Sequence, residues 1–458
     1  MDAETLFDNI GRRYEDVFAN NPNLRAFIHR SAARLPHGSC VLDVGCGTGK
    51  PVAEALATAG HRVHGIDVSQ EMVRIAQSQV PGTFEKVDMR LYQPAGHLDG
   101  VFAILSLFFV TPGDTHSMLF RFSEWLRHGG IVVIGVGPSD SLPSGSYVHD
   151  PTWDCARQLW QPFLGYHGHG TYFSKDSWHR LLRGAGFIIE DEECFLFNPN
   201  NDEYHNKDTY FLVCGRKVEE NAATLGPFPE PSAFIPPLVP LSGCRVMDLN
   251  RLVSPDLHRV LNTFPSHGSG LVIGLNNLGQ HDSRIQHWNG PLDDLPFKSG
   301  QFDWILAAWS LNQPQQVSTT VTELVRVANQ SSHAAILLTQ GAPDNEAIQF
   351  LNSTSTVPMF AHQGSLLRAA RDELTKQGFE VSLQRIHAHF EFPEEDVSER
   401  CNHASEILAQ FGQADGLDRA GMQEELASRL HLHFQTSAHS VGHEMVILRA
   451  IPQRIAPD

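Results

Sequence analysis

Residues 41–49 read Val41-Leu42-Asp43-Val44-Gly45-Cys46-Gly47-Thr48-Gly49, an apolar run that passes through one acid into three alternating glycines and then into an alanine-rich stretch. The pattern predicts a buried strand, a sharp turn and a helix. Glycine is needed in such a turn because the chain must leave the strand abruptly and let a ligand lie against bare backbone, which a Cβ would obstruct. The spacing narrows the ligand. A dinucleotide fingerprint is Gly-x-Gly-x-x-Gly with a pyrophosphate on the helix N-terminus. Here Gly45, Gly47 and Gly49 fall as Gly-x-Gly-x-Gly, with Asp43 two residues ahead.

Further elements follow in order. His61-Arg62-Val63-His64-Gly65-Ile66-Asp67 reads as a second strand ending in an acid, about 20 residues past the glycines, near the spacing at which a carboxylate accepts from both ribose hydroxyls. Glu71 to Ala76 starts a helix, Phe84 to Arg90 contains Asp88, and Leu98 to Phe109 reads as a strand and its exit. Trp125-Leu126-Arg127-His128-Gly129-Gly130 then leads into Ile131 to Ile134, and Ala185 to Ile189 and Thr209 to Cys214 read as a closing strand pair. The series resembles the class I S-adenosylmethionine-dependent methyltransferases, with His128 in place of a usual proline. The resemblance implies an α/β, doubly wound, Rossmann-like domain whose mainly parallel sheet is closed by an antiparallel strand. It implies S-adenosylmethionine as cofactor, held by Tyr14, Asp43, Gly45, Gly47, Gly49, Asp67, Met72, Asp88, Met89 and Ser106. In that set Asp88 matches the acceptor of the adenine amino group, and Tyr14 belongs to a segment folding over the methionine end.

At 458 residues and 41% hydrophobic, the chain is long enough for two domains of ordinary size. No run of 18 apolar residues occurs, and Met1-Asp2-Ala3-Glu4 lacks the basic and apolar regions of a signal peptide. The expectation is a soluble, cytoplasmic protein without a membrane partner. Seven scattered cysteines without Cys-x-x-Cys argue for reduced thiols, with Cys46 a small filler of the glycine loop. A net charge of -18 with only 34 Lys plus Arg disfavours a phosphate backbone as substrate, so no nucleic-acid partner is expected. Oligomeric state is left open.

Glu219-Glu220-Asn221 and the prolines between Pro227 and Pro240 mark a change of composition. Proline fixes φ and lacks a donor, so a semi-rigid extended linker is predicted over residues 219–235, between domains at 1–218 and 236–458. The second half repeats the first in degraded form. Cys244 to Asn250 matches Cys40 to Gly45, placing Asp248 opposite Asp43, and Gly274-Leu275-Asn276 stands for Gly65-Ile66-Asp67. Phe302 to Leu311 aligns with Leu98 to Leu107, pairing Asp303 with Asp99 and Ser310 with Ser106, while Gln377 to Val381 matches Ala185 to Ile189. The nearly constant offsets point to a tandem duplication. No glycines follow Asp248, and Asn276 offers one uncharged acceptor oxygen where a carboxylate offers two. A pseudo-methyltransferase domain that binds no cofactor is expected there.

Methyl transfer mostly requires alignment of two reactants and exclusion of water, with a base only where the acceptor loses a proton. Tyr14 and Phe18 share a helical face and form a candidate lid. Ser106-Leu107-Phe108-Phe109-Val110 puts apolar residues where many relatives carry a His, which favours an aromatic substrate wall. The segment from Ser139 to Ser174, read as loop-rich, is dense in aromatic residues and suits a flat or greasy small molecule. Within it His167 and His169 are the candidate catalytic bases. Paired histidines at 387/389 and 431/433 share a face if they lie on strands, yet no third ligand is evident and no metal site is assigned. The predicted function is methylation of a small aromatic or polyketide-like metabolite. The alternatives are a non-methylating cyclisation or pericyclic rearrangement on the same fold, and a non-enzymatic cofactor-binding interaction protein, possibilities that product mass and cofactor binding separate.

Overall fold

The strand β1 (Cys40–Val44) is buried along nearly its whole length between two parallel neighbours, β2 (Arg62–Asp67) and β4 (Leu98–Ile104). A strand covered on both faces reads as a continuous apolar run, which is how these segments read in the sequence. β3 (Thr83–Lys86) pairs with β2, and β5 (Leu126–Val136) with β4. The antiparallel strands β9 (Phe187–Phe197) and β10 (Asp208–Lys217) close the sheet, giving the order β3-β2-β1-β4-β5-β10-β9. A computed structural model describes residues 2–199, 207–226, 247–248, 251–254, 257, 259–260, 268–276, 282–311, 316–329, 335–354, 363–411, 419–435 and 439–453. The chain divides into two compact units, Met1–Ala222 and Ala223–Asp458.

In the first unit, helices α1 (Ala3–Ile10), α2 (Arg13–Phe18), α3 (Pro22–Ala32), α4 (Val52–Thr58) and α5 (Gln70–Gln79) cover one face of the sheet, and their apolar residues form one core cluster with Val41, Phe102 and Val133. Helices α6 (Pro112–Trp125) and α7 (Lys175–Gly184) cover the other, packing with Leu42, Val101 and Val132. Two cores on opposite faces make the unit doubly wound, as the sequence predicts. The segment between β5 and α7 departs from expectation. It is a three-stranded antiparallel sheet of β6 (Val148–Asp150), β7 (Cys155–Phe163) and β8 (Tyr166–Phe173), not a loop-rich insertion. β7 and β8 meet in a two-residue turn, Leu164-Gly165, with positive φ at both positions, the hairpin geometry whose twist matches the flanking strands.

The segment preceding the prolines contains a helical turn, Ala222–Leu225, and Leu225 belongs to a core cluster of the second unit. Residues 227–235, the proline-rich part of the predicted linker, lie outside the described residues.

The second unit has its own mainly parallel sheet. β13 (Gly270–Ile273) pairs with β15 (Ile285–Trp288) and β16 (Trp304–Ala308), β16 pairs with β17 (Ala335–Gly341), and the antiparallel β21 (Met445–Pro452) and β18 (Phe379–Ile386) complete the order β15-β13-β16-β17-β21-β18. Two smaller pairings accompany it: β11 (Met247–Asp248) with β14 (Leu275–Asn276), and β12 (Leu252–Val253) with β19 (His389–Glu391) and β20 (Ser440–Gly442).

This order corrects the correspondence expected from sequence. β13 lies between β15 and β16 as β1 lies between β2 and β4, so Gly270–Ile273 takes the place of β1, not Cys244 to Asn250. Local anchors agree. Asp99 accepts from the Cys40 N–H at the start of β1 (2.7 Å), and Asp303 accepts from the Ser269 N–H just before β13 (2.8 Å). Leu105 and Trp309, immediately after β4 and β16, both have positive φ although neither is glycine, and each donates its N–H to a carbonyl of the next strand, Gly135 and Thr339. Gly45 and Gly274 follow β1 and β13 with nearly the same φ, +71° and +76°. Cys244 itself lies outside the described residues.

The histidine pairs do not share strand faces as expected. His431 and His433 lie in the helix Arg419–Phe434, where residues two apart point in different directions. His433 is buried against the Ser440 carbonyl, and His387 contacts Glu444. Nearby, the fully buried Arg385 side chain pairs with the equally buried Asp344 and donates to the Ala223 carbonyl. Breaking a buried pair strands the remaining charge, so Arg385→Ala is expected to cost about 3–5 kcal/mol. Urea unfolding followed by tryptophan fluorescence checks this, and the double replacement Arg385→Met with Asp344→Leu should recover most of the loss.

Candidate functional site

The turn after β1 is built by close approach. Gly45 adopts φ +71°, and a Cβ there would meet the Ser106 Cβ at 2.4 Å, so both conformation and space demand glycine. A Cβ on Gly47 (φ +51°) would meet nothing within 4 Å, so the loop has open space beside it. The Gly47 N–H donates to Asp67 (2.9 Å), whose other oxygen accepts from the Ser69 N–H (2.9 Å). Thus the two acids expected to hold a nucleoside stand at the ends of neighbouring strands, joined through the loop.

Asp43 is only 1% exposed, and its Oδ2 has no hydrogen-bond partner among the described residues. Burial, and secondarily the Asp67 charge, push its carboxyl up to about 8. Burial raises Asp67 to about 6 against the lowering effect of its backbone donors. Thr48 Oγ1 and Ser106 Oγ are likewise buried without partners. A buried polar atom without a partner calls for an explanation, a water, an ion or a ligand among them. Three in one turn and the strand exit facing it fit a polar, cationic group beside open space. Burial and the neighbouring acids raise the Cys46 thiol far above its ordinary value, as suits a filler.

The remaining expected residues fall at different depths. Met72 is fully buried near the start of α5, with its N–H on the Ser69 capping oxygen, so its side chain belongs to the interior. Met89 is partly buried against the α6-side core. Asp88 lies just beyond β3 and is held by Arg90.

Tyr14 joins a ring cluster that links the N-terminal helices to the β4 exit and the hairpin. Phe7 meets Tyr14, Phe109 and Phe163 edge-on, and Phe18 stacks on Phe163 (5.8 Å). Phe108 continues the wall onto Tyr172. Two polar ties hold α1 and α2 down. Asp8 accepts from the Ser69 hydroxyl and the Glu71 N–H, and Glu15 meets Lys50 and Gln79.

The two candidate bases, two residues apart on β8, differ in burial. His167 is exposed and stacks on the exposed Trp160 (4.3 Å). His169 is half-buried, hydrogen-bonds the Phe109 backbone, and has its pKa lowered chiefly by burial, so it is neutral at physiological pH. Asp208, at the start of β10, was not singled out from sequence. Its charge helps raise the phenols of both Tyr14 and Tyr172, although burial is the larger cause in each. Only strand register brings it there, since nothing in its local sequence marks it.

In the second unit the register places Val272 where Asp43 stands and the exposed Asn289 where Asp67 stands. Neither position carries an acid. Ser310, the counterpart of Ser106, keeps a buried hydroxyl without a partner. Among the described residues no group of three or more His, Cys, Asp or Glu is arranged to hold a metal ion, and no helix is long and apolar enough to cross a membrane.

Residues 17–192 match the family model described as a methyltransferase domain. The O-methyltransferase cnsE of Penicillium expansum is 31% identical over 162 residues, which are 34% of this chain and 54% of that protein. An uncharacterized methyltransferase of Bacillus thuringiensis (strain Al Hakam) is 26% identical over 149 residues, 32% of this chain and 65% of that protein. The chain thus spans less than two thirds of the length of these curated relatives. Among solved structures, the CcbJ methyltransferase of Streptomyces caelestis has 20% identity and a TM-score of 0.38, covering 48% of this chain and 100% of its own. Residues 17–192, within the first unit, thus carry a methyltransferase domain.

Asp43 has a consequence measurable without ligand. Its carboxyl titrates near 3.8 when unfolded and about 8 when folded, so the native state holds an extra proton between these values. Stability from this group therefore falls as pH rises through that window. Thermal melts of Asp43→Asn should lie above wild type at pH 8 and converge with it near pH 4.

Proposed function

We propose that the first unit binds S-adenosylmethionine in the turn after β1 and transfers its methyl group to a small, aromatic or polyketide-like metabolite. The observation that carries this reading is the buried Asp43 Oδ2, left without a partner beside a glycine turn bordered by open space. Bound there, the sulfonium would supply an already activated methyl group. Asp67 would accept from the ribose hydroxyls, and Asp43 and Ser106 would satisfy polar groups of the methionine end. The rings of Phe7, Phe109 and Phe163 would exclude water and present a flat acceptor, with Tyr14 at the boundary near both acids. His169, neutral and beside Phe109, would take a proton from an acceptor that must lose one.

The second unit is read as a diverged copy of the first that no longer binds cofactor, because Val272 and Asn289 replace the two acids. The partner is a small molecule. The charge of -18 argues against nucleic acid.

Incubation with S-adenosylmethionine and a panel of phenols, enols and amines, read by mass spectrometry, tests the reaction. One acceptor should gain the mass of one CH2 while S-adenosylhomocysteine accumulates, whereas conversion without mass change would sink methyl transfer. Asp67→Ala should weaken cofactor binding about tenfold or more, the worth of a hydrogen bond to a charged group. His169→Gln should lower kcat by about a hundredfold where the acceptor is deprotonated, with little change in KM for the cofactor.

A further inference from the structure

Asp88 does not stand alone at the β3 exit. The Arg90 guanidinium grips it side-on, with Nε at 3.0 Å from Oδ1 and 3.2 Å from Oδ2, and a terminal nitrogen at 2.6 Å from Oδ2. The Arg90 backbone N–H also donates to Oδ1 (2.9 Å). An ionised carboxylate has about four lone-pair sites. The backbone N–H, the single Nε–H shared between the two oxygens and one terminal N–H occupy three of these, which leaves one site open, on Oδ2. The fork is itself fixed, since its other terminal nitrogen lies 3.2 Å from Asp114 in the first turn of α6, and Arg121 donates to the Arg90 carbonyl (2.5 Å). The Val87 N–H on the Asp67 carbonyl (2.9 Å) holds this strand end beside the one that carries Asp67.

From this geometry we infer that Arg90 is a positioning residue for base recognition, which rests on the reading of the cleft as an S-adenosylmethionine site. Arg90 keeps Asp88 ionised and locks its plane, so that the single open lone pair meets one N–H of an exocyclic amine. A purely accepting, immobile carboxylate favours the amino group of adenine and repels the oxo group of hypoxanthine. A carboxylate released from the fork could rotate or take up a proton, and would then tolerate either base. Arginine suits this task because its planar fork engages both oxygens, which a lysine ammonium cannot reproduce.

The test is calorimetric titration of the full chain with S-adenosylhomocysteine and with S-inosylhomocysteine, on wild type, Arg90→Ala, Arg90→Gln and Arg90→Lys, with a thermal melt of each. Wild type should prefer the adenosyl compound about tenfold or more, the value of one hydrogen bond to a charged group. All three variants should lose most of that preference, chiefly through weaker adenosyl binding, and Arg90→Lys should not restore it. Variants that melt lower yet keep the wild-type preference would overturn the inference and reduce Arg90 to a tie between β3 and α6. Binding of neither compound by wild type would instead remove the cofactor reading on which the inference stands, so the two failures are distinguishable.

Discussion

A carboxylate buried at the end of β1 is the constraint around which the first unit is arranged. Taking Asp43 out of water without a partner for one oxygen is unfavourable, and the chain accommodates it by protonation, at the expense of stability at neutral pH. The neighbouring features have a common logic once that cost is recognised. Gly45 must be glycine because Ser106 stands where its Cβ would go, and the close approach brings the β4 exit against the acid. The Gly47 N–H is turned toward Asp67, which couples the two acids through the loop. A cationic ligand bound there would offset part of that burial penalty.

The N-terminal helices depend on the same region. Asp8 reaches the start of α5 just past Asp67, and Glu15 reaches Lys50 at the end of the glycine loop. Through these ties α1 and α2 hold Phe7, Tyr14 and Phe18 in the ring cluster. Strand ends, loop and cover thus form one connected polar and aromatic assembly, in which a shift of the loop is felt by the helices over it.

The sequence made much of this legible for a physical reason. Parallel strands buried on both faces appear as uninterrupted apolar runs, and β1, β4 and β5 could be read directly. The hairpin of β7 and β8 could not. Its turn is Leu164-Gly165 without an Asn or Asp, and β7 carries Gln158, Gln161 and Pro162 among its apolar residues. The place of Asp208 depends on strand register, and the burial of His169 but not of His167, which share a face of β8, depends on what packs over each, neither of which a local pattern encodes. In the second half, the sheet order differs from the alignment expected from sequence. Its true marker is an acid at the start of one strand accepting from the N–H at the start of the next, seen at Asp99 and Asp303. With that anchor, Val272 and Asn289 stand at the sheet positions that Asp43 and Asp67 hold in the first unit.

The central claim is that one S-adenosylmethionine site exists per chain, in the first unit. Equilibrium dialysis of the full chain against labelled S-adenosylmethionine, carried to saturation, measures it directly. The account predicts one bound molecule per chain. A plateau of two would contradict the assignment of the second unit as unable to bind, and no saturable binding would contradict the site itself.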